Sequence, residues 1–466
     1  MRTHVRKALA GAAMVTVLAA SLLVGAAPGS TRQSDNAVAR GIERRAATIG
    51  STDPTAPDAD LEPLARAVDG AQIVGLGEAS HGLAEVTTLK HRTVRYLVER
   101  LGFRSIAWED DWSLGTQIDD YIQGRRDDRD ALIGQMSTAW RTQEVAAVID
   151  WLRDYNETHD KKVRFLGVEY FATRPFVYDD IEAYVAEAAP HQLEQAREHL
   201  EAIKPTTDDM GAYVDWFRYD VDDKEPYVRH AERLYDLVEA IEHDPKDDAY
   251  VLAEHGARQI RSFYTAFTVA NYFAFRDARA AENLRWWQEN QGGRTIYWAA
   301  SAHTADVPEL TISFPPQGQV TFASAGSFLR SWYGDRYVSV GFTFDHGAMN
   351  AGGESVELLP PPEAWFEHPL GCVGKEQFLY DVRRRATPAV REWLGRPLVT
   401  RGDPESGPES TMSGGTPGQW FDVIVHRQVV SPATPLSAHD RRPHFTPTAR
   451  STSHAINASD PDVVGG

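Results

Sequence analysis

Between residues 71 and 108 the chain runs apolar, then amphipathic, then apolar again. This triplet limits the possible folds more than any other feature. Residues 71–76 (AQIVGL) form a short apolar run that ends in a glycine turn. Leu83, Thr87, Leu89, Val94, Tyr96, Leu97 and Leu101 then recur near helical spacing, and Gly102 closes that helix as a C-terminal glycine. Residues 103–108 (FRSIAW) are a second apolar run. Strand, helix and strand within about forty residues make a βαβ unit, which places the two strands parallel in one sheet.

The pattern recurs at 163–168, after a helical period around 146–155. Residues 178–287 then show helical periods without a strand, broken at Pro226 and Pro245. Strands are expected again at 294–299, 320–323, 337–344 and 421–426. The expected fold is therefore α/β, a central and mainly parallel sheet with flanking helices and an inserted helical region. Residues 401–419, rich in Gly, Pro and Ser, read as a long surface loop.

The ends read differently. Arg2, Arg6 and Lys7 precede an apolar stretch from Ala8 to Ala26, and Val24-Gly25-Ala26 fits the small-residue cleavage rule. Residues 1–26 are therefore expected to be a signal peptide of a secreted protein, with an uncleaved anchor as the other reading of the same stretch. Residues 27–60 are polar and read as a linker followed by a short helix; residues 61–433 form the catalytic domain, and 434–466 a disordered tail. Cys372 is the only cysteine, so no internal disulfide supports the fold, and it reads as a small buried apolar residue. A net charge of −19 argues against nucleic acid or an anionic membrane as partner, because both require basic patches.

In open α/β sheets ligands gather beyond the carboxyl ends of the strands. The first strand here ends in Gly77-Glu78-Ala79-Ser80-His81-Gly82, the second in Glu109-Asp110-Asp111, the third at Glu169, and the one after the helical region near Ser301 and His303. Carboxylates and histidines thus recur along one edge. A carboxylate beside an imidazole fixes its tautomer and raises its basicity, which suits it to take a proton from water. Any one such residue more often caps a helix or pairs with an arginine; four at one edge favour a site.

Other chemistries lack their signatures. There is no Gly-x-Ser-x-Gly elbow, no His-Glu-x-x-His, no cysteine pair and no phosphate-binding glycine loop. A metal held by Glu78, His81, Glu109 and His303 stays open on ligand type, as does a planar ligand such as haem held by His81 or His303.

The ordered motifs resemble those of the erythromycin esterase family. They are Gly77-Glu78-Ala79-Ser80-His81-Gly82 with Glu85 and Lys90, Gly102-Phe103-Arg104 leading to Glu109, Trp140, Glu144, Trp151-Leu152-Arg153 and Asn156, then Arg276-Asp277, Glu282-Asn283, Trp298 and His303. The resemblance spans about residues 70–430. It implies a metal-independent hydrolase without a cofactor, acting on a small-molecule ester or lactone such as a macrolide, with no membrane partner once the leader is removed. His81 then matches the general base, and Glu78 and Glu109 match its active-site carboxylates. His303 or Lys90 would polarise the carbonyl or protonate the leaving alkoxide. Lys90 stands where some members carry arginine, a change that keeps charge and loses the bidentate fork. Lys90, Arg276, Glu282 and Trp298 are the candidate substrate contacts.

One departure is plain. Family members often show Trp-Ala-His-Asn-x-His where this chain has Trp298-Ala299-Ala300-Ser301-Ala302-His303. The missing histidine at Ala300 leaves room for a related enzyme that cyclises or eliminates rather than hydrolyses. The aromatics Tyr213, Trp216, Phe217, Tyr264, Phe267, Tyr272 and Phe273 either line a cleft or pack the inserted helices together.

Overall fold

Apolar runs buried on both faces make central parallel strands, and those of this chain assemble into one large sheet. The computed structural model describes residues 28–436, apart from 245–246, 317, 404–406 and 408. The expected leader and nearly all of the expected tail lie outside the described residues.

The strands in chain order are β1 (Ala47–Thr48), β2 (Ile73–Glu78), β3 (Ser105–Asp111), β4 (Arg164–Glu169), β5 (Thr295–Ala300), β6 (Leu310–Phe314), β7 (Gly318–Phe322), β8 (Tyr337–Ala351), β9 (Glu354–Leu358), β10 (Gln377–Asp381), β11 (Thr400–Arg401), β12 (Thr411–Ser413) and β13 (Val423–Val430). Nine of them form the main sheet in the order β1-β10-β13-β8-β2-β5-β3-β4, with β9 hairpinned onto β8. The run from β13 to β4 is parallel throughout, and β1 and β10 close one edge antiparallel. The expected α/β architecture, with its mainly parallel sheet, is the one observed.

One face of the sheet packs Val74, Leu76, Ile106, Trp108, Ile296 and Val338 against helices Ala84–Leu101 and Gln143–Thr158. The other packs Ile73, Ala107, Tyr297 and Tyr337 against helices Tyr272–Asn290 and Ala325–Tyr333. The inserted helices have a core of their own, in which Tyr178, Phe217, Phe263 and Tyr264 are buried. Most of the aromatics considered for a cleft wall therefore pack helix on helix: Tyr213, Phe217 and Tyr264 lie in that core, and Phe267 rests on it.

Three expectations need correction. Residues 27–60 are not a plain linker: helix Pro28–Glu43 buries Val38, Ala39 and Ile42 against the C-terminal part of the chain. The 401–419 segment is not simply a surface loop. Its β12 pairs antiparallel with β6 in a second, four-stranded sheet of order β11-β12-β6-β7, which also takes the strand expected at 320–323. The chain stays docked beyond 433, since Thr434 bonds Glu144 and Leu436 is buried. In each case long-range packing supplies the partner that local composition could not reveal.

Candidate active site

The parallel order brings β2, β5, β3 and β4 side by side, so their carboxyl ends share one edge. Glu78 and Ala300 are paired in register across β2 and β5. The turn after β2 carries His81 and is closed by Gly82 at φ 69°, where a Cβ would run into the Asn350 carbonyl. The Gly82 carbonyl accepts from the N–H groups of Asn350 and Ala433, both at 2.9 Å, which ties this turn to β8 and the chain end.

A chain of charge fixes the His81 ring. Lys90, wholly buried on helix Ala84–Leu101, donates to Glu78 Oε2 at 2.6 Å. Glu78 Oε1 lies 2.7 Å from His81 Nδ1. Because the carboxylate can only accept, Nδ1 carries a proton, and in the neutral form of the ring Nε2 is the nitrogen left with the lone pair. The ring packs edge-on against Trp140, with centroids 4.4 Å apart. Its side chain keeps 21 % of its exposure, against 7 % or less for Glu78, Glu109 and His303. His81 is thus the member of this set that meets solvent.

Glu109 is the hub of the other half. It sits where the β3–β4 register slips between Trp108 and Asp111, and such a slip re-aims side chains at a strand end. Its Oε2 accepts from the Ala300 N–H at 2.7 Å and lies 3.9 Å from His81 Nε2. Its Oε1 accepts from Arg276 Nη2 at 2.8 Å and lies 3.1 Å from His303 Nε2. Burial alone would raise the Glu109 pKa, but His303, His81 and Arg276 outweigh it and hold the carboxyl well below its ordinary range.

His303 stands between two acids. Its Nδ1 lies 3.0 Å from both oxygens of Asp277, while its Nε2 faces Glu109 and, at 3.0 Å, Arg276 Nη1. A neutral ring would accept from Arg276 and an imidazolium would donate to Glu109. Burial opposes the charged ring and Arg276 repels it, yet Asp277 and Glu109 prevail and push its pKa up to about 10. The imidazolium is the form we assign at neutral pH.

The sequence-derived candidates divide accordingly. His81, Glu78, Glu109, His303, Lys90 and Arg276 converge; Glu282 and Trp298 do not serve as expected. Glu282 pairs with Arg279 at 2.5 Å and lines a separate cavity of about 540 Å³ among Tyr235, Arg258 and Trp286. Trp298 is fully buried, stacked on Trp108 at 4.4 Å, and underlies the Lys90 ammonium at 4.2 Å. Lys90 itself has no exposure and is spent on Glu78, so it positions a carboxylate rather than touching substrate. Of the acidic run, only Glu109 enters the site. Asp110 accepts from the Ser137 N–H, while Asp111 caps a helix and pairs with Arg174. Cys372 is exposed rather than buried.

Asp277, which the sequence offers only as part of the Arg276-Asp277 motif, holds Nδ1 of His303. Arg276 and Asp277 leave helix Tyr272–Asn290 toward the same strand edge, a placement their adjacency in sequence does not disclose. Among the described residues no group of three or more His, Cys, Asp and Glu side chains is arranged to hold a metal ion. The donors considered for one carry cations already, Lys90 on Glu78 and Arg276 on Glu109.

The model of the erythromycin esterase family matches residues 98–430, a stretch that starts after Glu78, His81 and Lys90. Among curated relatives, the chain is 32 % identical over 111 residues to erythromycin esterase type II of Escherichia coli, covering 24 % of this chain and 26 % of that one. It is 28 % identical over 119 residues to a putative hydrolase of Bacillus subtilis, covering 26 % of each. The matched segments span about a quarter of these relatives' lengths. A crystal structure of a Bacillus cereus protein superposes with a TM-score of 0.75 at 28 % identity, over 86 % of this chain and 99 % of that one. A mutant erythromycin esterase in its open conformation shares the fold, with a TM-score of 0.64 at 16 % identity over 84 % and 98 % of the two chains. The family match covers well over half of the chain and the sheet-edge cluster lies where the fold places a ligand: the protein belongs to the erythromycin esterase family.

Proposed function

We propose that this chain is a metal-independent hydrolase of esters or lactones, in which His81 activates the attacking water. The observation that carries this reading is the Lys90–Glu78–His81 relay, which orients the imidazole whose side chain is the most exposed of a largely buried charge cluster. Nε2 and Glu109 Oε2, 3.9 Å apart, can each hydrogen-bond one shared water. His81 takes the proton of that water as its oxygen attacks the carbonyl, and Glu78 and Glu109 stabilise the imidazolium that forms. Arg276, whose side chain keeps 12 % exposure, is the cation of the cluster assigned to the developing oxyanion, with His303 as the second positive group behind it. The imidazolium of His81 then returns its proton to the departing alkoxide, which balances the step. General-base help of this kind contributes ~10²–10⁴-fold, and oriented cationic donors ~10²–10³-fold each.

The erythromycin esterases among the relatives suggest a macrolide-like lactone as substrate. Ala300, which offers only a backbone N–H where the family often has histidine, favours a different ester within the same chemistry. The apolar segment 8–26 supports export of the protein. A mass-spectrometric screen of macrolides, other lactones and simple esters for the gain of one water tests the reading, run with and without a chelator. A hit is expected that persists under chelation and drops at least ~10²-fold in His81→Ala. Near-normal turnover by His81→Ala, or its loss to the chelator, would overturn the proposal.

A further inference from the structure

Glu169 ends β4 at the same edge, and the mechanism above does not use it. Its side chain is about 1 % exposed, and its Oε1 lies 3.0 Å from Arg276 Nη2. Nonetheless neither Glu169 oxygen receives a directed hydrogen bond among the described residues, because that nitrogen is aligned on Glu109 at 2.8 Å. A buried carboxylate without donors is among the costliest groups a protein can hold.

Charge counting around Arg276 explains how it is tolerated. Arg276 and the His303 imidazolium carry two positive charges, and Glu109 and Asp277 carry two negative ones. On the far side Lys90 and Glu78 balance each other. Glu169 is the odd acid. The titratable groups around it are Arg276, Asp277 and Tyr272 from helix Tyr272–Asn290, His303 beyond β5, Glu109 at the end of β3, Tyr170 next in the chain and Tyr297 on β5. The hydroxyls of Tyr170 and Tyr297 are buried and, like Glu169, have no hydrogen-bond partner among the described residues.

We propose that Glu169 is a positioning residue that carries a proton in the working enzyme, and that its neutrality leaves Arg276 to Glu109 and His303. Were Glu169 to ionise, two carboxylates would compete for one guanidinium nitrogen, and Arg276 would be drawn from the hub toward β4. Burial pushes the Glu169 carboxyl up to about 7, against the opposing pull of Arg276 and His303, so the exchange falls in the neutral range. This role rests on the hydrolase reading only for its consequence in catalysis; the protonation itself does not.

The test is therefore made first without substrate, on the full chain. Infrared difference spectra across a pH titration are expected to show a buried protonated carboxyl that disappears near pH 7. Asp110, also pushed up to about 7 by burial, contributes a band of its own, so the signal assigned to Glu169 is the part missing from Glu169→Gln. Histidine ¹⁵N resonances are expected to report a shift of the His303 ring over the same interval in the parent and none in Glu169→Gln, whose amide imitates the neutral acid. Matching thermal unfolding of the two proteins is expected on the acid side of the transition, and Glu169→Met, which likewise carries no carboxyl, serves in its place if the glutamine variant fails to fold. An unchanged infrared titration in the variant, or a His303 shift that survives it, overturns the proposal whether or not an ester substrate is found. With a hydrolysed ester in hand, Glu169→Gln is expected to hold its kcat within about threefold of the parent on the acid side and to lose the alkaline decline. An alkaline limb identical in both proteins also overturns it.

Discussion

The Lys90–Glu78 pair shows how a residue can fix the geometry of a site while itself lying out of reach of solvent. Both side chains are almost entirely out of water, and burial lowers the Lys90 ammonium pKa despite Glu78 and Glu109. Removing one member of such a pair leaves the other charge uncompensated, at a cost of ~3–5 kcal/mol. Lys90→Met is therefore expected to lower the urea midpoint markedly and to abolish turnover together with the His81 relay. A midpoint equal to the parent's would show that the pair does not carry this energy. The strand-end glutamates and histidines could be read from the chain because their types and positions are local. The burial of Lys90 over Trp298 could not, since it depends on β5 lying beside β2.

The element that sets the geometry is the short helix Ser301–Thr304 at the end of β5, which carries His303. It rests directly on β2 because Gly77 has no side chain: a Cβ there would overlap Thr304 Oγ1 and press on Ser301. Gly77→Ala is expected to lift this helix from the strand, costing ~1–3 kcal/mol and displacing His303 from Asp277 and Glu109. Calorimetry and the His303 resonance together check it; an unchanged ring signal in a folded variant would refute the close-packing argument. The helix Tyr272–Asn290 contributes Arg276 and Asp277 to the site, and six residues on it directs Glu282 to a different cavity. Helical rotation between those positions separates two residues that motif order alone had grouped.

Across the molecule, Glu169, Asp110 and His303 push the pH dependence of stability one way, while the buried histidines His91, His255 and His426, whose pKa burial lowers, push it the other way below pH 6.5. Glu169, ordinarily near 4.5, and Asp110, ordinarily near 3.8, are both pushed up to about 7, and His303 is raised from 6.5 to about 10. Each binds a proton in the native state that the unfolded chain has released, so stability falls as pH rises through these intervals. Glu109 acts oppositely, and its contribution is lost only as pH drops through its depressed pKa. Between about pH 6.5 and 10 urea midpoints are expected to decline, on the order of 1 kcal/mol per unit through His303 and, at the lower end, through Glu169 and Asp110 as well. Glu169→Gln should flatten the lower part of that decline and Asp277→Asn the part between 6.5 and 10. Rising stability over the whole range would contradict the assignments.

Period and spacing were enough to define the βαβ start, the parallel sheet and the inserted helices, because hydrophobic repeat is a property of neighbours along the chain. Strand-end chemistry followed from the same reading, since a parallel sheet sends every carboxyl end to one side. Strand order was decided in three dimensions, and with it the pairing of Glu78 with Ala300 and the meeting of Glu109 with Arg276. So was the docking of helix Pro28–Glu43 and of β12, whose partners are far away in sequence. Charges that share a buried site acquire their protonation from one another, and only the folded chain brings Glu169, Asp277 and His303 within that reach.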